Sequence, residues 1–123
     1  YFSDNGLLNL FLYNRDTALL ENQVAIALWD AYGEGLHYLK SPKHGIDIDF
    51  YVPDAGAAVQ VAYSIEGNAR TREVGNLVKL HQVDASVTSF VIVTKDETED
   101  IETGGIVIRV VPAWRYLLEL AGA

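Results

Sequence analysis

The sequence contains no cysteine and no methionine, and only three prolines. Without cysteine there is neither a disulfide framework nor a thiolate metal site, and the composition fits a cytoplasmic chain. No apolar run reaches the roughly 18 residues that span a bilayer, which excludes a transmembrane helix. The opening Tyr1-Phe2-Ser3-Asp4 lacks the basic n-region of a signal peptide. The missing initiator methionine points to a domain taken from a longer chain. Basic charge is also scarce, with 9 Lys and Arg against 17 Asp and Glu, a formal balance of -8. Five of those acids, Asp96, Glu97, Glu99, Asp100 and Glu102, fall in one short stretch that reads as a solvated loop. The remaining twelve acids still outnumber the bases. Proteins that hold nucleic acid do so largely by neutralising phosphates with Lys and Arg, and no basic stripe exists here. Autonomous nucleic-acid binding is therefore disfavoured.

What is present suits one domain spanning residues 1–123, half of them hydrophobic and enough for a core. Asn5 to Leu12 predicts one or two helical turns. Asp16 or Thr17 can cap a second helix from Ala18 to about Tyr32, ended by Gly33 and Gly35. Leu20, Val24 and Leu28 recur at helical spacing, and Leu19, Ile26 and Trp29 on other sides predict a helix buried all round. Three strands follow. The first is Leu36 to Lys40. Along Ile46 to Val52, Ile46, Ile48, Phe50 and Val52 alternate with Asp47, Asp49 and Tyr51. Ala57 to Tyr63 is the third, after the turn Pro53-Asp54-Ala55-Gly56. A helix from Ala69 to His81, a buried strand from Ser89 to Thr94, a strand from Ile106 to Val111 and a last helix from Ala113 to about Leu120 complete the order αβββαββα. The expected class is α/β, with a mixed sheet of about five strands flanked by helices.

The four-residue turn sets a register. If Val52 pairs with Ala57, Asp49 comes opposite Gln60 and Asp47 opposite Ala62, and all four share one face. Two carboxylates and an amide would cluster there, with Glu21 of the preceding helix as a third acid. His37, His44 and His81 show no metal-ligand spacing; His81 is expected to be a half-buried, hydrogen-bonded histidine. Trp114 and Tyr116 are expected in the core or at a contact between domains.

The order Glu21, then Asp49, then Gln60-Val61-Ala62 is similar to the PD-(D/E)XK motif of restriction-endonuclease-like nucleases. There a helix carries Glu, one strand carries Asp, and the next carries Glu-x-Lys. The chain more closely resembles the C-terminal domain of unknown function that follows the ATPase module in many prokaryotic AAA+ proteins. Tyr1 to Leu7, Leu20-Glu21-Asn22, Asp47-Ile48-Asp49-Phe50, Gln60-Val61-Ala62-Tyr63, Thr71-Arg72-Glu73, Ile92-Val93-Thr94 and Val111-Pro112-Ala113-Trp114 carry this resemblance in order.

The resemblance implies a restriction-endonuclease-like fold and an ATP-binding module upstream; no phosphate-binding glycine loop lies in this chain. It also implies a relic site for Mg²⁺ or Mn²⁺ at Glu21, Asp49 and Gln60, hard oxygen donors suited to such ions. Gln60 stands where the family has an acid and Ala62 where it has lysine, leaving Arg72 or Lys40 as replacement cations. The motif is thus degenerate. The expected role is a non-catalytic interaction or regulatory domain, whose partners are the ATPase module of the same chain, another protein or a second copy. A metal-dependent nuclease with an altered site and a nucleic-acid-binding module are the alternatives.

Overall fold

A computed structural model describes the backbone of residues 5–122 and the side chains of residues 15–122. Tyr1-Phe2-Ser3-Asp4 and the side chains of Asn5, Gly6 and Leu7, part of the resemblance above, lie outside the described residues.

The chain forms α1 (Asn5–Tyr32), β1 (His37–Ser41), β2 (Ile46–Val52), β3 (Ala57–Val61), α2 (Asn68–Val83), β4 (Ser89–Thr94), β5 (Glu99–Thr103), β6 (Ile106–Pro112) and α3 (Ala113–Leu120). One six-stranded mixed sheet has the order β1-β2-β3-β4-β6-β5. β1, β2 and β3 pair antiparallel, β3–β4 and β4–β6 parallel, and β5–β6 antiparallel. The expected α/β class with a mixed sheet holds.

The expected count of about five strands does not hold, because the acidic stretch supplies a sixth. Ile101 is its one buried residue and pairs with Ile108. The acids around it face solvent or are paired: Arg70 forks onto Glu99 at 2.9 and 2.6 Å, and Asp100 stands opposite Arg109. One apolar residue among four polar ones gives almost no strand signal, and charge on an edge strand blocks sheet-to-sheet association. Gly104 and Gly105 make the two-residue turn into β6, both at positive φ.

α1 is also a correction. It is one 28-residue helix, so Asp16 and Thr17 lie inside it and cap nothing. The segment from Tyr13 to Thr17 contains no Gly or Pro to break the backbone ladder, and Asp and Thr cost only tenths of a kcal/mol in a helix, at most about 0.7 kcal/mol each. Nor is α1 buried all round. Leu20, Val24 and Leu28 are buried, whereas Leu19, Ile26 and Trp29 are each more than half exposed.

Two cores result. Leu20, Val24 and Leu28 of α1 and Tyr116 of α3 pack with Phe50, Val59, Val61, Val91, Val93 and Val111 on one side of the sheet. Leu77 and Leu80 of α2 pack with Ile46, Ile48, Ala58, Ile92 and Ile108 on the other. Trp114 is exposed, so of the α3 aromatics only Tyr116 joins the core. His81 is half-buried and meets Phe90 edge-on at 6.0 Å, but its Nδ1 is buried without a partner, unlike the hydrogen-bonded histidine expected.

Ile46 and Ile48 therefore face α2, while Phe50 on the same strand faces α1. Strict alternation would put all three on one side. The switch is a β-bulge: the β1–β2 register slips between His37↔Tyr51 and Leu39↔Ile48, so Asp49 and Phe50 together stand across from Tyr38.

Candidate functional site

The β2–β3 register has the predicted phase, with Val52↔Ala57, Tyr51↔Ala58 and Phe50↔Val59. Gly56 makes the turn in the left-handed region, and its carbonyl accepts from the N–H groups of Thr88 and Ser89. A Cβ there would lie 2.9 Å from the Ser86 carbonyl oxygen, so no other residue fits without displacement.

The ladder stops at Phe50↔Val59, next to the bulge, and side chains take over its hydrogen bonds. The Asp49 N–H donates to Gln60 Oε1 at 2.8 Å, and Gln60 Nε2 donates to the Asp47 carbonyl at 2.9 Å. In return the Val61 N–H donates to Asp49 Oδ2 at 2.8 Å. Asp49 and Gln60 therefore do not stand side by side on one face as the extrapolated register predicts. Gln60 is 1% exposed, both heteroatoms of its amide are engaged, and it forms no part of the wall of the neighbouring cavity.

That cavity, about 400 Å³, opens where β2 and β3 separate, between α1 and α2. α1 contributes Thr17, Ala18 and Glu21, and β2 contributes Asp47 and Asp49. β3 contributes Val61 and Ala62, and α2 contributes Arg72, Glu73 and Asn76. Asn76 fixes α2 against β2, since its Oδ1 accepts from the Asp47 N–H at 3.0 Å and its Nδ2 donates to the Arg72 carbonyl. Thr17 Oγ1 is buried on the wall without a protein partner.

Four carboxylates thus share one cavity with one guanidinium. Desolvation pushes Asp49 up to about 7; the Val61 N–H pulls it down, and the charges of Glu73, Glu21 and Asp47 push it further up. Desolvation likewise raises Glu73, partly offset by the Arg72 guanidinium at 3.3 Å, and the charges of Asp47 and Glu21 add to the rise. Burial alone raises Glu21. All three shifts come first from desolvation of the charged form, and for Asp49 and Glu73 the neighbouring carboxylates add to it.

Of the predicted site residues, the fold brings Glu21 and Asp49 to one cavity and leaves Gln60 behind the wall. Ala62 lines the cavity but carries no cation. Arg72 is there, ion-paired to Glu73, whereas Lys40, the cross-strand partner of Asp47, is not among the lining residues. Glu73, which the sequence suggests as an ion-pair partner of Arg72 facing the site region or solvent, is paired with Arg72 and stands on the cavity wall, though not among the predicted site residues. Its signal was available: it precedes Leu77 by one helical turn, on the face that α2 buries.

The resemblance implies Mg²⁺ or Mn²⁺ at Glu21, Asp49 and Gln60; Glu21 and Asp49 reach the cavity and Gln60 does not. Among the described residues no three Asp, Glu or His side chains converge closely enough to hold one. Asp49 Oδ2 is committed to the Val61 N–H, and Gln60 is turned into the sheet. No helix among the described residues is long and apolar enough to cross a membrane. Comparison with protein-family models, curated proteins and solved structures returns no match.

Proposed function

We propose that this chain is a non-catalytic interaction or regulatory domain of nuclease-like fold that serves an AAA+ ATPase module through contacts with protein. The observation that carries the reading is the Gln60 amide, which bridges the parted strands β2 and β3 at 2.8 and 2.9 Å instead of facing the cavity. Ala62 next to it offers a methyl group where phosphodiester chemistry needs a cation to steady developing negative charge. The acidic cavity itself repels a phosphate backbone.

The rival, a metal-dependent nuclease with an altered site, draws on Glu73 and Arg72, which stand on the same cavity wall as Glu21 and Asp49. Two measurements separate the readings. The purified chain is incubated with supercoiled plasmid and single-stranded DNA in Mg²⁺ or Mn²⁺, and Mn²⁺ is titrated by calorimetry. The expected result is intact DNA and no Mn²⁺ binding at millimolar metal. Cleavage that Asp49→Ala abolishes would overturn the reading.

A further inference from the structure

The acidic cavity is one end of a longer groove. A second depression of about 240 Å³ shares Ala18, Glu21 and Asp49 with it, and a third of about 330 Å³ shares Ala25, Tyr38 and Phe50 with the second. The three run in line along α1, bordered on the far side by β1 and the bulge of β2. Chemistry changes along the line. The far end is walled by Ile26, Trp29, Leu36, Tyr38 and Phe50; the near end carries Glu21, Asp47, Asp49 and Glu73 against Arg72 alone. Trp29 is 57% and Tyr38 79% exposed, large apolar surfaces with no covering from the described residues. The Tyr38 ring packs on Phe50 with centroids 5.9 Å apart, so the chain itself supplies this part of the apolar wall.

From these features we infer that the groove docks an extended peptide segment of a partner protein, with a large apolar side chain seated at Trp29 and Tyr38 and a Lys or Arg side chain in the cavity of Glu21, Asp47, Asp49 and Glu73. Charge complementarity selects this occupant. A guanidinium or ammonium brings positive charge to four carboxylates that share the cavity with one guanidinium, and its several N–H donors can reach carboxylates spread along the wall. Aromatic anchors in apolar pockets carry a large share of binding energy at interfaces, and the Trp29–Tyr38 end is such a pocket. A second copy is disfavoured by mutual repulsion between chains of net charge -8. The spacing follows from geometry. The centres of the two ends lie seven or eight helix residues apart on α1, about 11 Å at 1.5 Å per residue, which an extended peptide covers in three or four residues at about 3.3 Å each.

The inference rests on reading the domain as an interaction module, and the DNA-cleavage and Mn²⁺ assays decide that reading separately. The test is selection of a phage-displayed random heptapeptide library on the immobilised full chain. The enriched peptides should pair a large apolar residue with Lys or Arg three or four positions away. One enriched peptide is then synthesised and titrated by calorimetry, a readout that does not depend on Trp29. Trp29→Ala, and separately Glu21→Gln combined with Asp47→Asn, should each weaken its binding at least tenfold; all three positions are partly or fully exposed, so the fold survives these changes. Replacing the peptide's cation by Glu should abolish binding, and raising salt should weaken it. No enrichment, enrichment without a cation, or affinity unchanged in both variants overturns the inference while leaving the non-catalytic reading intact. Concentration-dependent dimerisation in sedimentation that Trp29→Ala abolishes would place a second copy in the groove and overturn it as well.

Discussion

Asp49 and Gln60 each hold the other's strand: the Gln60 amide takes the N–H of Asp49 and the C=O of Asp47, while the Asp49 carboxylate takes the N–H of Val61. The exchange lets β2 and β3 part and open the cavity without leaving buried backbone groups unpaired. Gln60→Leu keeps the volume and removes both bridges. Burying two unpaired backbone groups should cost about 2–4 kcal/mol, read as a lower midpoint in urea. A midpoint unchanged within error would show that the strands stay parted without the amide.

Stability should depend on pH through the cavity. The Asp49 carboxyl stands at 3.8 in an ordinary setting and is pushed up to about 7 here. A raised folded value means that its contribution is fully present below about pH 4 and is lost as pH rises toward 7. Glu21 and Glu73, also raised, act in the same direction. Asp84, Glu99 and Glu119 are lowered and act oppositely, losing their contribution only as pH falls below the ordinary carboxylate range. Thermal melts should therefore peak at mildly acidic pH and fall by pH 8. Asp49→Asn keeps an acceptor for the Val61 N–H and removes the charge. It should recover on the order of 2–4 kcal/mol at pH 8 and little at pH 5. A parallel pH profile in the variant would rule the assignment out.

How much of this was legible in the sequence depended on what sets each feature. The phase of the β2–β3 pairing was legible because the Pro53–Gly56 turn fixes it, and Val52↔Ala57 is observed. Its extent was not, because a bulge is a property of two strands and the β1–β2 slip at Asp49 and Phe50 has no mark in β2 alone. The same slip moves Phe50 to the α1 face and turns Gln60 from a ligand candidate into a bridge. α1 shows the opposite failure, since Asp16 and Thr17 resemble a helix start, yet a cap forms only where the preceding backbone leaves the helix.

The acidic stretch separates strand from loop by one residue. Ile101 is buried against the α2-side core, while Asp100 beside it is exposed. Ile101→Ala should cost about 2–4 kcal/mol, and Asp100→Ala should stay within roughly 0.5 kcal/mol. Equal, small effects in chemical denaturation would return residues 99–103 to a solvated loop.

Ala62→Lys puts a cation where the nuclease motif has one, and it separates electrostatics from chemistry. Ala62 is 3% exposed yet lines the cavity with Asp49 and Glu73, so a lysine that the fold accommodates there should direct its ammonium into the cavity, toward their carboxylates. An opposite charge at that range favours the ionised carboxylates and lowers Asp49 toward its ordinary value. The expected outcome is a flatter pH profile, with a midpoint at pH 8 that rises relative to pH 5 and still no DNA cleavage in Mg²⁺. Cleavage would follow only if the missing charge were the sole defect. On the proposed non-catalytic reading it is not: Gln60 faces β2, no three acids converge among the described residues, and a lysine adds no carboxylate ligand. A cleaving Ala62→Lys variant would therefore show that Glu21, Asp49 and Glu73 can still gather a metal ion, and the site would have to be regarded as a nuclease centre lacking one side chain.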